Sequence, residues 1–166
     1  MTRRLILMRH AKSSWDDPSL DDIDRPLNAR GRRSAVALGL WLANKGFLPD
    51  VVLCSPSQRT RETFDGLKLG AMPVQYIDAL YHASTHVLLD TLHAKGAGGC
   101  VLMITHNPGC ANFADRMLAA PHDHDRFHDF PTGATLVTDL PIDDWSDARF
   151  HTGEVLDFTV PRELTD

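Results

Sequence analysis

The chain reads as a three-layer α/β/α sandwich around a mostly parallel central sheet. Three observations predict it. The apolar runs Leu5-Ile6-Leu7-Met8, Val51-Val52-Leu53-Cys54 and Cys100-Val101-Leu102-Met103-Ile104-Thr105 are short and lack alternation, as strands buried on both faces do. Helical periodicity fills the intervals between them. Polar residues able to do chemistry stand directly after the runs, where open parallel sheets bind their ligands.

Taken in order, the first run leads into Arg9-His10-Ala11-Lys12-Ser13-Ser14. From Asn28 to Lys45 two apolar ridges predict a helix, Ala35, Leu38, Leu42 and Val36, Leu40, Ala43, with Gly46 suited to its C-terminus. After the second run Ser55 is expected as an N-cap, Pro56 as the first helical residue and Gln58 as the capping-box partner. Leu88, Leu89 and Leu92 predict another helix, closed by Gly96. Gly96-Ala97-Gly98-Gly99 precedes a strand, so it is a turn and not a nucleotide-binding loop. Asn107 is expected to cap a helix with Pro108 at its first position. That helix carries Cys110, Phe113, Ala114, Met117 and Leu118, and Pro121 stops it. Ala134 to Asp139 and Val155 to Val160 are weaker strands. No repeat or low-complexity linker divides residues 1–166, so one domain is expected.

Composition narrows the function classes. A net charge of -5 argues against a general nucleic-acid binder, which needs a basic face. No apolar stretch approaches the ~20 residues that span a bilayer. Leu5-Ile6-Leu7-Met8 is too short for the apolar region of a signal peptide. Cys54, Cys100 and Cys110 form no CxxC and read as reduced, buried thiols, which points to the cytoplasm.

The strand ends carry the chemistry. Arg9 and His10 follow the first run, and His106 follows the third. Arg59 lies in the first turn of the helix after the second run, where the macrodipole disfavours a cation. An anion at that helix start would remove the conflict, and the ordinary alternative is a surface arginine paired with Glu62 or an aspartate. Together Arg9, His10, Arg59 and His106 suggest a cationic cup for a tetrahedral phosphoryl group. His122 to His128, with His124 and His128 at helical i, i+4 spacing, could bind a divalent ion, but a solvated acidic connection explains them better.

With these motifs in place, the sequence resembles the histidine phosphatase superfamily, of phosphoglycerate-mutase-like fold, and within it the small SixA-type phosphohistidine phosphatases. Leu7-Met8-Arg9-His10-Ala11-Lys12-Ser13-Ser14-Trp15 is similar to the family's Arg-His motif, although Ala11 stands where Gly is usual. Asp24-Arg25-Pro26-Leu27-Asn28-Ala29-Arg30-Gly31, Ser55-Pro56-Ser57-Gln58-Arg59-Thr60 with Thr63, and Ile104-Thr105-His106-Asn107-Pro108-Gly109 look like its later motifs, in order. The resemblance implies that His10 is the nucleophile and forms a phosphohistidine. It further implies that Arg9 and Arg59 (rather than Arg61) clamp phosphoryl oxygens, and that His106 completes the pocket without metal or other cofactor. The implied partner is a phosphorylated protein or a small phosphorylated molecule, with no nucleic acid and no membrane. The oligomeric state is left open and a monomer is compatible.

The sequence also departs from the pattern. Many relatives have an acidic proton donor after the third strand, and Ile77-Asp78-Ala79-Leu80-Tyr81-His82-Ala83-Ser84 has no aligned Glu. A phosphoramidate then fits better than an alkyl ester, because imidazole with a pKa near ~6.5 leaves with less assistance than an alkoxide near ~16. Asp78, His82, Asp21, Asp22 and Asp24 are the candidates for a hidden acid. The competing readings are a small-molecule phosphomonoesterase of the same superfamily and a non-catalytic module that binds phospho-ligands.

Overall fold

The computed structural model describes residues 1–165. Six strands form one sheet: β1 (Arg3–Arg9), β2 (Val51–Cys54), β3 (Val74–Tyr76), β4 (Cys100–Thr105), β5 (Thr135–Leu140) and β6 (Glu154–Thr159). Their order is β3-β2-β4-β1-β5-β6. β1, β2, β3 and β4 are mutually parallel, and β5 runs antiparallel to both β1 and β6. The helices are α1 (Ala29–Lys45), α2 (Gln58–Leu67), α3 (Thr85–Lys95), α4 (Gly109–Met117) and the short α5 (Arg162–Thr165).

The sandwich follows from strand alternation. Leu5 and Leu7 point with Leu53, Val101 and Met103 into the layer that holds Leu88, Leu92, Phe113 and Met117 of α3 and α4. Ile6 and Met8 point with Val52, Leu102 and Ile104 into the opposite layer, against Leu38 and Leu42 of α1 and Leu67 of α2. The two central strands, β1 and β4, are therefore apolar without alternation over Leu5–Met8 and Cys100–Ile104, because each face of the sheet is covered there.

Several expectations about local structure need correction. Of the two ridges predicted on α1, Ala35, Leu38 and Leu42 are buried, but Val36 and Leu40 face solvent. α1 has helices only at its flank, so one ridge suffices. α2 is capped by Ser57, whose side chain accepts from the Thr60 amide, and not by Ser55. Pro108 is the N-cap of α4 and not its first residue. Asn107 still serves that helix start, its Oδ1 accepting from the Ala111 amide. β3 has only three half-exposed or exposed residues and carried no apolar run to reveal it. Gly46 does close α1, at φ +73°.

The segment with His122 to His128 contains no helix, so the i, i+4 spacing has no ligand geometry behind it. It is not a wholly solvated connection either, since Phe127 and Phe130 are fully buried core residues. His124 is held by Glu163 at 3.2 Å and accepts from the Arg126 amide. Among the described residues, no three His, Cys, Asp or Glu side chains are arranged to hold a metal ion, and no helix is long and apolar enough to cross a membrane. The three cysteines are free and buried.

Candidate active site

Sheet order brings three separate stretches of sequence together. β4 lies between β2 and β1, so the segments that follow these strands emerge side by side. The His10 amide donates to the Thr105 carbonyl at 3.1 Å, and the Ser55 amide to the Ile104 carbonyl at 3.0 Å. The ladder thus continues past each strand and fixes Ser55, His106 and His10 along one edge. The turn after β1 is tied to α2 by the Ala11 amide, which donates to Thr63 Oγ1 at 3.0 Å. It is tied to α1 by close approach: a Cβ on Gly31 would overlap the Lys12 carbonyl oxygen.

The structure brings Arg9, His10, Arg59 and His106 to this edge of the sheet, with His10, Arg59 and His106 buried and Arg9 half-buried. The His10 and His106 rings lie 5.3 Å apart. His10 Nδ1–H donates to the Ala11 carbonyl at 2.7 Å, which fixes the tautomer and leaves the lone pair on Nε2. Burial, and then the charges of Arg9, Arg59 and Arg25, push its pKa down to about 3 despite the opposing bond to Ala11. The ring is neutral near pH 7. Arg9 Nη1 donates to the Phe130 carbonyl at 3.3 Å, while its buried Nε–H has no acceptor among the described residues. A buried guanidinium N–H left unbonded is costly, and an oxyanion in the cup would satisfy it.

His106 has the opposite tautomer to His10. Arg59 Nη2 lies 3.3 Å from His106 Nδ1, and a guanidinium can only donate, so Nδ1 accepts. Nε2–H then donates to Ser55 Oγ at 2.7 Å. Burial, followed by His10, Arg59 and His82, holds the His106 pKa down at about 2. The cup is accordingly less cationic than four basic residues suggested: its fixed charge comes from the arginines.

Arg59 is 3% exposed, so it is no surface arginine, yet it does pair with an aspartate. Its Nη2 donates to Asp22 Oδ2 at 2.9 Å and its Nη1 to the Asp22 carbonyl at 2.6 Å. Arg61 points elsewhere, stacking over Tyr76 and donating to the Pro56 carbonyl. Glu62 receives the Leu27 amide instead of an arginine.

The candidates for a proton donor separate cleanly. Asp22 and His82 reach the cup; no side-chain contact joins Asp21, Asp24 or Asp78 to it among the described residues. His82 Nε2–H donates to Asp22 Oδ2 at 3.1 Å, and the Tyr81 hydroxyl donates to the same oxygen. Burial raises the Asp22 pKa, but the bonds from Tyr81, His82 and Arg59 outweigh it and hold the carboxyl well below its usual range. His82 stands in the left-handed region at φ +52°, its ring 4.9 Å from that of His106.

Sequence reasoning missed three members of this cluster. Ser55 looked like a helix cap, and Tyr81 carried no signal of its own. Arg25 is 8% exposed and donates to Ser13 Oγ, the Ser14 carbonyl and Asp22 Oδ1. It also stacks on the 73% exposed ring of Trp15, at 3.3 Å. The sequence placed Arg25 only within a motif leading into α1, and the structure shows what it braces.

The histidine phosphatase superfamily (branch 1) profile matches residues 5–86. A protein of Mycobacterium tuberculosis without assigned function is 32% identical over 162 residues, 93% of this chain and 100% of that one. A chloroplastic Arabidopsis thaliana protein, also without assigned function, is 44% identical over 88 residues, covering 53% of this chain and 38% of that longer one. Among solved structures, one assigned as the phosphohistidine phosphatase SixA of Nakamurella multipartitia superposes with a TM-score of 0.86 at 28% identity, covering 97% of both chains.

Proposed function

The chain belongs to the histidine phosphatase superfamily and is in that sense a phosphatase; from that premise we propose a metal-independent enzyme that works through a phosphohistidine on His10 and acts on protein phosphohistidine. The observation that carries the reading is the pairing of a neutral His10, its lone pair on Nε2, with the unbonded buried Nε–H of Arg9 beside it. A nucleophile and an oxyanion donor are what phosphoryl transfer needs, because its catalysis is mainly positioning and charge stabilisation. The likeness to SixA supports the substrate class.

In the first half-reaction, His10 Nε2 forms a bond to phosphorus as the bond from phosphorus to the leaving group breaks. The leaving atom takes that electron pair. Arg9 and Arg59 hold the equatorial oxygens through fixed guanidinium donors, and His106 keeps Arg59 in place. Asp22 is ionised and cannot supply a proton, but it orients His82, whose ring is the donor to the leaving group in this reading. In the second half-reaction the neutral His82 takes a proton from the attacking water, and His10 leaves phosphorus with its electron pair.

An imidazole leaving group needs far less protonation than an alkoxide. This is the reason to prefer phosphohistidine over serine phosphate or alkyl esters. The test is turnover of a phosphohistidine peptide beside a phosphoserine peptide and small phosphate esters, each with purified protein. The reading expects catalytic efficiency in the order phosphohistidine, aryl phosphate, alkyl phosphate, with the extremes orders of magnitude apart. Equal or better turnover of an alkyl phosphate contradicts it.

A further inference from the structure

Beside the cup lies a second cleft that the mechanism above does not use. Lys12, Arg30, Arg126 and Arg162 line it, and Pro131 and Thr132 form one wall. Four cations around one cleft are unexpected in a chain of net charge -5 with 22 acidic residues. Arg126 is neutralised by Asp129, its Nη2 lying 2.9 Å from Oδ2, and Glu163 nearby is engaged by His124. Lys12 and Arg30 have no carboxylate within ion-pair distance among the described residues. Lys12 and Arg30, held on one cleft without a carboxylate in reach, raise the local potential and attract an anion.

The position of the cleft gives that potential a purpose. Lys12 is two residues from His10, so their Cα atoms are at most about 7 Å apart. The opposite wall is shared as well. The Phe130 carbonyl accepts from Arg9 in the cup, and the Gly133 amide donates to the His10 carbonyl at 2.8 Å. Pro131 and Thr132, which line the cleft, lie in the chain between those two contacts with the residues of the cup. An extended substrate with its phosphoryl group on His10 can therefore set a neighbouring group against Lys12 and Arg30.

We propose that this cleft is a second anion subsite, binding a carboxylate or phosphate that the substrate carries next to the transferred phosphoryl group. The proposal deepens the phosphatase reading, since it names a feature of the substrate of the same site. The anion has two possible sources, an acidic side chain flanking a phosphorylated residue or a second acidic group on a small molecule.

The experiment compares wild type with a Lys12→Gln, Arg30→Gln double variant on two matched substrate pairs. One pair is a phosphohistidine peptide with flanking Asp residues and the same peptide with Ala. The other is a carboxyphenyl phosphate and phenyl phosphate. Thermal unfolding of both proteins checks that the variant is folded. The subsite predicts that KM rises about tenfold for the acidic member of at least one pair, with kcat within twofold and the neutral member unaffected. A rise confined to the peptide pair identifies an acidic flank, and one confined to the aryl pair identifies a small molecule. If the peptides are not turned over at all while the aryl pair discriminates, the subsite stands and the phosphohistidine reading falls. Equal effects on both members of each pair, or none, overturn the subsite.

Discussion

Ser55 Oγ accepts the Nε2–H of His106 at 2.7 Å, and this bond leaves the far nitrogen of the ring to accept from Arg59. A residue that looked like a helix cap thus sets the tautomer of a histidine and, through it, steadies an arginine. Ser55→Ala removes the acceptor without removing any group from the cup itself. The loss of one buried hydrogen bond is worth about 1–1.5 kcal/mol, so kcat should fall about tenfold. Ser55→Thr, which keeps the hydroxyl, should recover much of it. Steady-state kinetics on an aryl phosphate checks both variants, and an unaffected Ser55→Ala would remove Ser55 from the account.

The two arginines of α2 should behave differently. Arg59 is buried against His106, whereas Arg61 stacks on Tyr76 away from the cup. By analogy with other preorganised charge contacts, Arg59→Ala should lose about 3–4 kcal/mol of transition-state stabilisation, a factor of roughly 10²–10³ in kcat. Arg61→Ala should stay within a few-fold of wild type. The reverse result would show that the helix presents its other face to substrate.

Much of this was legible beforehand because the signals were local. Apolar runs marked β1, β2 and β4, and the residues that follow them, Arg9, His10, Arg59 and His106, do converge. Ser55, Tyr81 and Arg25 were not legible, because their roles depend on which strands are neighbours. Only the order β2-β4-β1 sets Ser55 beside His106, and only the packing of the segment before α1 carries Asp22 to Arg59 and His82. The neutrality of His10 was partly legible, since adjacent guanidinium charge lowers an imidazole's pKa, but burial, the largest cause at both histidines, is a tertiary property and was hidden.

That neutrality makes stability depend on pH. The folded chain holds His10 and His106 neutral down to about 3 and about 2, while histidines in the unfolded chain protonate near 6.5. Below about pH 6.5 the unfolded state therefore binds more protons, and stability falls as the pH drops towards 3. Each histidine contributes a slope of at most about 1.4 kcal/mol per pH unit. Denaturant unfolding between pH 7 and 4.5 should show the decline, and His106→Gln should flatten it. A stability that holds level across that window contradicts the burial argument.

Permanent guanidinium charge at Arg9 and Arg59 can do the work of a metal ion. Activity should survive exhaustive dialysis against EDTA, and vanadate or tungstate should inhibit by offering oxyanions to the Arg9 Nε–H. Inhibition should weaken strongly in Arg59→Ala. Activity lost on chelation and restored by a divalent ion would require another mechanism.

The proton donor can be tested through the leaving group. His82→Ala should slow an alkyl phosphate and a phosphohistidine peptide more than p-nitrophenyl phosphate, whose leaving group needs little protonation. Asp22→Asn should follow His82→Ala in that ranking, because Asp22 acts by orienting His82. A uniform loss across all three substrates would assign both residues to binding.

The central claim is that His10 attacks through Nε2, and rapid quenching with a phosphoryl donor tests it most directly. Phosphorylated protein should accumulate within one turnover, labile to acid and stable to base. Mass mapping should place the phosphoryl group on His10 and phosphorus NMR should place it at Nε2, because Nδ1–H is committed to the Ala11 carbonyl. His10→Ala should form none. A phosphoryl group found on His106 or on His10 Nδ1, or full turnover by His10→Ala, would contradict the account.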